Sequence, residues 1–146
     1  MDSFISWVGG KKLLRKKILE QFPTEYRRYI EVFGGAGWLL FAEERKVDLE
    51  VYNDADGSLV NLFRCVKHHP EALQKELEWI LNSREMFFDA IEDARGLTDI
   101  QRAARFFILI KESYGTDCRS YGTRAKDLGK ATEYLQQISK RLRMVV

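Results

Sequence analysis

Proline and cysteine are both scarce, with two of each in 146 residues. Cys65 and Cys118 lie far apart, form no CxxC pair and have no Cys/His cluster beside them, so neither a disulfide framework nor a zinc site is suggested. Reduced thiols fit an intracellular, cytoplasmic setting. No stretch approaches the ~20 apolar residues that a membrane span needs, and the N-terminus has no long apolar run ahead of its basic cluster. Repeats, low-complexity tracts and Pro/Gly/Ser linkers are missing as well, so nothing marks an internal boundary. A large net charge is also absent: the total is +2. Its distribution is uneven, because residues 114–146 hold 7 of the 24 basic side chains and 3 of the 22 acidic ones. A basic tail on a near-neutral body suits a polyanionic partner, and equally a solvated face.

What is present reads as α/β followed by helices. Leu13, Leu14, Ile18 and Phe22 fall at helical spacing among lysines and an arginine, predicting an amphipathic helix that Pro23 closes. Tyr29–Phe33 is short and β-rich and runs into Gly34-Gly35-Ala36-Gly37. Trp38–Glu44 reads as a helix leaving that turn, and Leu49–Tyr52 as a second strand ending at Asn53-Asp54-Ala55-Asp56-Gly57. Two short apolar strands joined by a helix imply a parallel pair, with a crevice at their carboxyl ends. Helical spacing returns at Leu59, Leu62, Phe63 and Val66, again after Pro70, and again around Phe87 and Phe88. Residues 103–110 are apolar nearly all round, which predicts a buried central helix capped by Thr98. Residues 114–125 have no apolar period and read as a long loop, the kind that tends to be functional. A last helix carries Tyr134, Leu135, Ile138 and Leu142, and Met144-Val145-Val146 reads as a strand just begun.

A glycine turn after a strand lets backbone approach a ligand closely and aims amides at it. By itself Gly34–Gly37 fits a ligand-free tight turn equally well. Gly35-Ala36-Gly37-Trp38-Leu39-Leu40 puts a leucine where a dinucleotide fold wants a small third residue, which disfavours NAD. Asp54 stands 17 residues beyond Gly37, at the end of the next strand, where a carboxylate can accept both hydroxyls of a ribose. Adenosine binding therefore survives without pyrophosphate binding. Glu31 inside a strand needs a cationic or donor partner if it is buried. His68-His69-Pro70 reads as a helix-ending turn, since no third ligand lies at metal-binding spacing. In the loop, Tyr114 and Tyr121 interleave with Arg119, Arg124 and Lys126, a mixture suited to base stacking and phosphate contact as well as to an ordinary loop.

Three linked blocks, Trp7-Val8-Gly9-Gly10-Lys11, Tyr29 to Gly37, and Tyr52-Asn53-Asp54-Ala55-Asp56 followed by Leu59-Val60-Asn61-Leu62-Phe63, resemble in order and spacing the opening of the Dam-type (D12 class) N6-adenine DNA methyltransferases. The similarity continues through Ala103–Phe107 to Tyr114-Gly115 and so spans essentially the whole chain. The resemblance implies an incomplete Rossmann-like α/β fold for S-adenosylmethionine, with a helical target-recognition insertion. It implies a cofactor-binding part over 1–67, a helical part over 68–142 with the DNA-recognition loop 114–125, and the start of a strand over 143–146. It assigns Trp7, Gly9, Gly10 and Lys11 to the methionine end of the cofactor, Glu31, Phe33, Gly34, Gly35 and Gly37 to the wrapping turn, and Asp54 to the ribose. Double-stranded DNA is the implied partner, with Tyr114, Arg119, Tyr121, Arg124 and Lys126 as its contacts.

One departure matters. The family's catalytic Asp/Asn-Pro-Pro-Tyr block is absent, since neither Pro23 nor Pro70 adjoins another proline. The expectation is therefore a fragment, a truncated product or one half of a split enzyme, inactive without a C-terminal half. A non-catalytic nucleic-acid-binding module derived from such an enzyme is the rival expectation.

Overall fold

The computed structural model describes residues 1–44, 47–92, 94–122 and 128–146, the stretch 128–132 by its backbone alone. Strands β1 (Arg28–Glu31) and β2 (Leu49–Tyr52) pair in parallel, with Arg28 opposite Leu49 and Glu31 opposite Tyr52. On its other side β2 meets the chain's last residues. Glu50 and Val145 form a parallel bridge, Val146 N donates to Glu50 O at 2.8 Å, and Tyr52 N donates to Val146 O at 3.0 Å. The order across this small sheet is β1, β2, Val145, and among the described residues the far edge of β1 has no strand beside it.

Helices build the rest. After the five-residue α1 (Arg15–Leu19) come α2 (Gly57–His68), α3 (Pro70–Trp79), α4 (Arg84–Glu92), α5 (Asp99–Glu112) and α6 (Leu128–Leu142). Each start has a local reason. Asp56 accepts from the amides of Ser58 and Leu59, Pro70 opens α3 where its missing N–H is not needed, and Thr98 with Gln101 forms a reciprocal capping box on α5. Helix α5 packs against α2, α3 and α4 and buries Ala103, Ala104, Phe107, Ile108 and Ile110 in the core. His68 ends α2 and His69 caps it, so the histidine pair is a helix-ending turn. No described helix is long and apolar enough to cross a membrane.

Two expected helices differ. Over Trp38–Glu44 the chain forms turns rather than a helix. The first helical bond, Phe41 N to Gly37 O, is made at 3.0 Å, but the next amide, Ala42 N, donates to Leu39 O at 3.1 Å in a tighter turn instead of to Trp38 O. Leu40 O, which the last turn of a helix would use, accepts from Arg141 at 2.8 Å. The chain therefore makes successive turns that do not propagate as an α-helix. The amphipathic helix expected from Leu13 shrinks to α1, which buries no residue, and Leu13 is 94% exposed. Crowded like charges from Lys12 to Lys17 oppose a longer helix.

The segment before α1 also enters the core. Phe4 and Ile5 are buried, the Phe4 ring contacts those of Phe41, Phe63 and Phe107, and Lys111 donates to Phe4 O at 2.7 Å. It carries Trp7 to the glycine turn.

Candidate functional site

Beyond β1 the chain reverses through Gly34–Gly37. Gly35 has φ 52° and Gly37 φ 69°, left-handed conformations that a side chain would strain. Gly34 lies so close to the Tyr52 ring that a Cβ there would collide with it. Gly34 N donates to Asn53 O at 2.9 Å and Gly37 N to Gly34 O at 2.8 Å. The turn is therefore stitched to the end of β2.

Asp54 completes that stitching. One of its oxygens accepts from Gly35 N at 2.8 Å and the other from Asp56 N at 3.0 Å. An ionised carboxylate has about four lone-pair directions, so each oxygen keeps capacity for a further donor. Asp54 is half-buried and faces the turn.

Trp7 lies against the same turn. A Cβ on Gly35 would meet the Trp7 ring at 3.1 Å, and the ring's other neighbour is Phe106 of α5, with centroids 5.8 Å apart. Gly10 N donates to Trp7 O at 2.9 Å, Gly9 has φ 74°, and the Lys11 ammonium donates to Phe33 O at 3.0 Å. The Trp7–Lys11 block thus folds back onto the strand-turn. Phe33 itself is 73% exposed.

Glu31 and Glu50 are both buried on this small sheet, and their fates differ. Glu50 is neutralised by Arg141 through two bonds of 2.6 and 2.8 Å. One oxygen of Glu31 accepts from Leu40 N, and the other is buried without a partner. The Tyr29 hydroxyl is near enough to influence its ionisation but makes no hydrogen bond to it. Burial raises the Glu31 carboxyl above the ordinary 4.5, against weaker opposing effects from Tyr29, the Leu40 amide and Lys11. The folded chain therefore holds this proton more tightly than the unfolded one does. Stability from this group is fully present below about 4.5 and is lost as pH rises through the raised value. Glu31→Gln should accordingly raise the thermal midpoint of the ligand-free chain at pH 7 by about 2–6 °C and flatten that pH dependence. Paired thermal melts at acid and neutral pH check it.

The loop after α5 is tightly made. Tyr114–Thr116 form a 3-10 turn, the Asp117 carboxylate accepts from the amides of Arg119 and Ser120, and Tyr121 bridges back to Ser113. Tyr114 and Arg119 are exposed at its rim. Tyr121 is half-buried, its ring edge-on to Phe87 of α4 at 5.4 Å, so it braces the loop. Arg124 and Lys126 lie outside the described residues.

The turn residues, Asp54 and the Trp7–Lys11 block are thus brought together, while Tyr121 of the loop packs on Phe87 of α4. Tyr52 was not among the sequence candidates. Its hydroxyl donates to Gly35 O at 2.7 Å and its ring stacks on Phe63 at 4.0 Å, so it forms the floor of the turn. An aromatic directly before Asn-Asp at a strand end was the available signal. No group of three or more His, Cys, Asp or Glu that could hold a metal occurs among the described residues.

Comparison with known proteins adds two findings. The family described as D12 class N6 adenine-specific DNA methyltransferase matches residues 7–133. The chain is also similar to the Type II methyltransferase M1.LlaDCHI of Lactococcus lactis subsp. cremoris, 30% identical over 123 residues, which cover 76% of this chain and 41% of that protein. The chain thus spans well under half the length of this relative.

Proposed function

The chain belongs to the D12 class of N6 adenine-specific DNA methyltransferases, and from that premise we propose that it forms the S-adenosylmethionine-binding part of an enzyme that methylates adenine N6 in duplex DNA. The observation that carries the reading is the Gly35–Asp54 bond, which fixes a carboxylate beside a left-handed glycine turn. In this reading Asp54 accepts the ribose hydroxyls with its spare lone pairs. The amides and small glycines of the turn let backbone lie against the adenosine, and Trp7 covers the methionine end. Glu31, with one buried oxygen still lacking a donor, supplies negative charge where the ligand is cationic. Burying an unpaired carboxylate is unfavourable for folding, so its retention beside this turn favours binding over a purely structural role.

When bound, the cofactor supplies a methyl group on a sulfonium. The chain's own residues bind and orient it. What they lack is the Asp/Asn-Pro-Pro-Tyr block that would hold the adenine amino group against the methyl, and positioning is much of the catalysis in such a displacement. A C-terminal half carrying that block is the proposed partner, and the edge of β1, without a strand beside it among the described residues, is where a further strand can join the sheet. Tyr114 and Arg119 at the loop rim, together with Tyr121, Arg124 and Lys126, are proposed to face DNA. The companion reading of a non-catalytic nucleic-acid module makes opposite predictions about the cofactor.

Calorimetric titration with S-adenosylhomocysteine, paired with a radiolabelled methyl-transfer assay on duplex DNA, tests the proposal. The 146-residue chain should bind the ligand and transfer no methyl group. DNA binding with no response to the ligand would favour the non-catalytic module. Turnover by the chain alone would show that another group does the work of the missing block.

A further inference from the structure

A cavity of about 500 Å3 opens between the start of α2, the end of α4 and the outer face of α5, and Cys118 of the 114–122 loop lies in its wall. Three guanidinium groups, from Arg64, Arg102 and Arg105, line it, and no carboxylate does among the described lining residues. The acid nearest in bonding is Asp99, which binds Arg64 at 2.8 Å and also pairs with Arg102. One carboxylate shared by two guanidiniums leaves a surplus positive charge on the Arg64–Arg102–Asp99 group.

Those two cations are held in place with donors to spare. Arg64 directs only its Nη2 at protein acceptors, Asn61 and Asp99, which leaves Nη1 and Nε for a ligand. Arg102 is anchored through Leu97 O at 3.0 Å and through Asp99. Guanidiniums anchored in this way present charged donors from fixed positions, which suits a phosphate oxyanion better than a flexible lysine would.

The cavity's position decides the ligand class. Phe106 is part of its lining and also contacts Trp7, which covers Gly35, while Cys118 belongs to the loop. It therefore lies between the proposed cofactor turn and the proposed DNA loop. We infer that the cavity seats a backbone phosphate of the DNA strand, with Arg64 and Arg102 as its ligands. This site deepens the DNA-methyltransferase reading and rests on it. The contact is sequence-independent: it fixes the register of the duplex while the loop residues meet bases.

Fluorescence anisotropy of a labelled mixed-sequence duplex with the full chain, across a salt series, tests the inference. Arg64→Gln and Arg102→Gln should each weaken binding about tenfold and reduce the log–log salt slope by about 1. Arg64→Lys should keep the slope, and Asp99→Asn, which frees both cations, should bind more tightly. Thermal midpoints near the parent's show that the variants are folded, as expected for side chains 57% and 43% exposed. Unchanged affinity and slope in both glutamine variants would overturn this inference alone. Failure of the parent to bind duplex would overturn both it and the DNA reading. Binding of ATP or pyrophosphate, lost in Arg102→Gln, with no duplex binding would identify a free-nucleotide site and reject the DNA phosphate.

Discussion

Replacing Arg141 by alanine should lower the stability of the chain by about 3–5 kcal/mol, because Glu50 would be left charged and buried without its partner. The two side chains are 9% and 6% exposed, and the guanidinium grips both carboxylate oxygens. Arg141 also donates to Leu40 O at 2.8 Å and to Glu43 O at 3.4 Å. One side chain thus ties α6 to β2 and to the segment that follows the glycine turn. Its loss removes the pair and releases the turn's downstream end together. A domain of this size has a stability of about 5–15 kcal/mol, so Arg141→Ala can abolish folding. The double variant Glu50→Gln/Arg141→Met keeps the claim testable: with neither charge of the pair left buried, it should recover most of the loss in urea unfolding. A double variant no more stable than Arg141→Ala would contradict the buried-charge account.

Asp54→Ala should reduce affinity for S-adenosylhomocysteine by more than about 100-fold, since two hydrogen bonds to a charged acceptor are lost at once. The same change strips Gly35 N and Asp56 N of their acceptor and loosens the turn. Asp54→Asn separates the two effects. Its amide oxygen can still accept from one backbone amide, so the turn should stay closed while ribose binding falls by about tenfold. Calorimetry for affinity and urea unfolding for stability, run on both variants, read the two consequences independently. Parent-like affinity in Asp54→Ala would remove Asp54 from the site.

The elements that local chemistry specifies were legible in the sequence. Strand β2, the helix after Pro70, the Thr98 cap and the glycine turn all depend on residues within a few positions of one another. What escaped depends on partners distant in the chain. The helical pattern of Trp38–Glu44 is sound locally, yet Arg141, distant in the chain, takes the Leu40 carbonyl that its last turn would use. The Glu50–Arg141 pair spans 91 positions, and no periodicity announces it. Phe4 and Ile5, which no apolar period marks, enter the core, Phe4 through contacts with rings distant in the chain. In the candidate site the sequence pointed to Asp54 and the glycines, because a carboxylate after one strand and a bend after its neighbour must meet across a parallel pair. Tyr52 beneath them, and the arginines assembled from α2 and α5, required the packing to be seen.

Amide resonances followed during titration with S-adenosylhomocysteine test most directly whether the glycine bend and Asp54 form one ligand site. Saturable shifts should appear at Gly34, Gly35 and Gly37 and at the Trp7 indole N–H, and should vanish in Asp54→Ala. Saturation that leaves those four signals unmoved while shifting resonances elsewhere, or no response at any ligand concentration, would contradict the account.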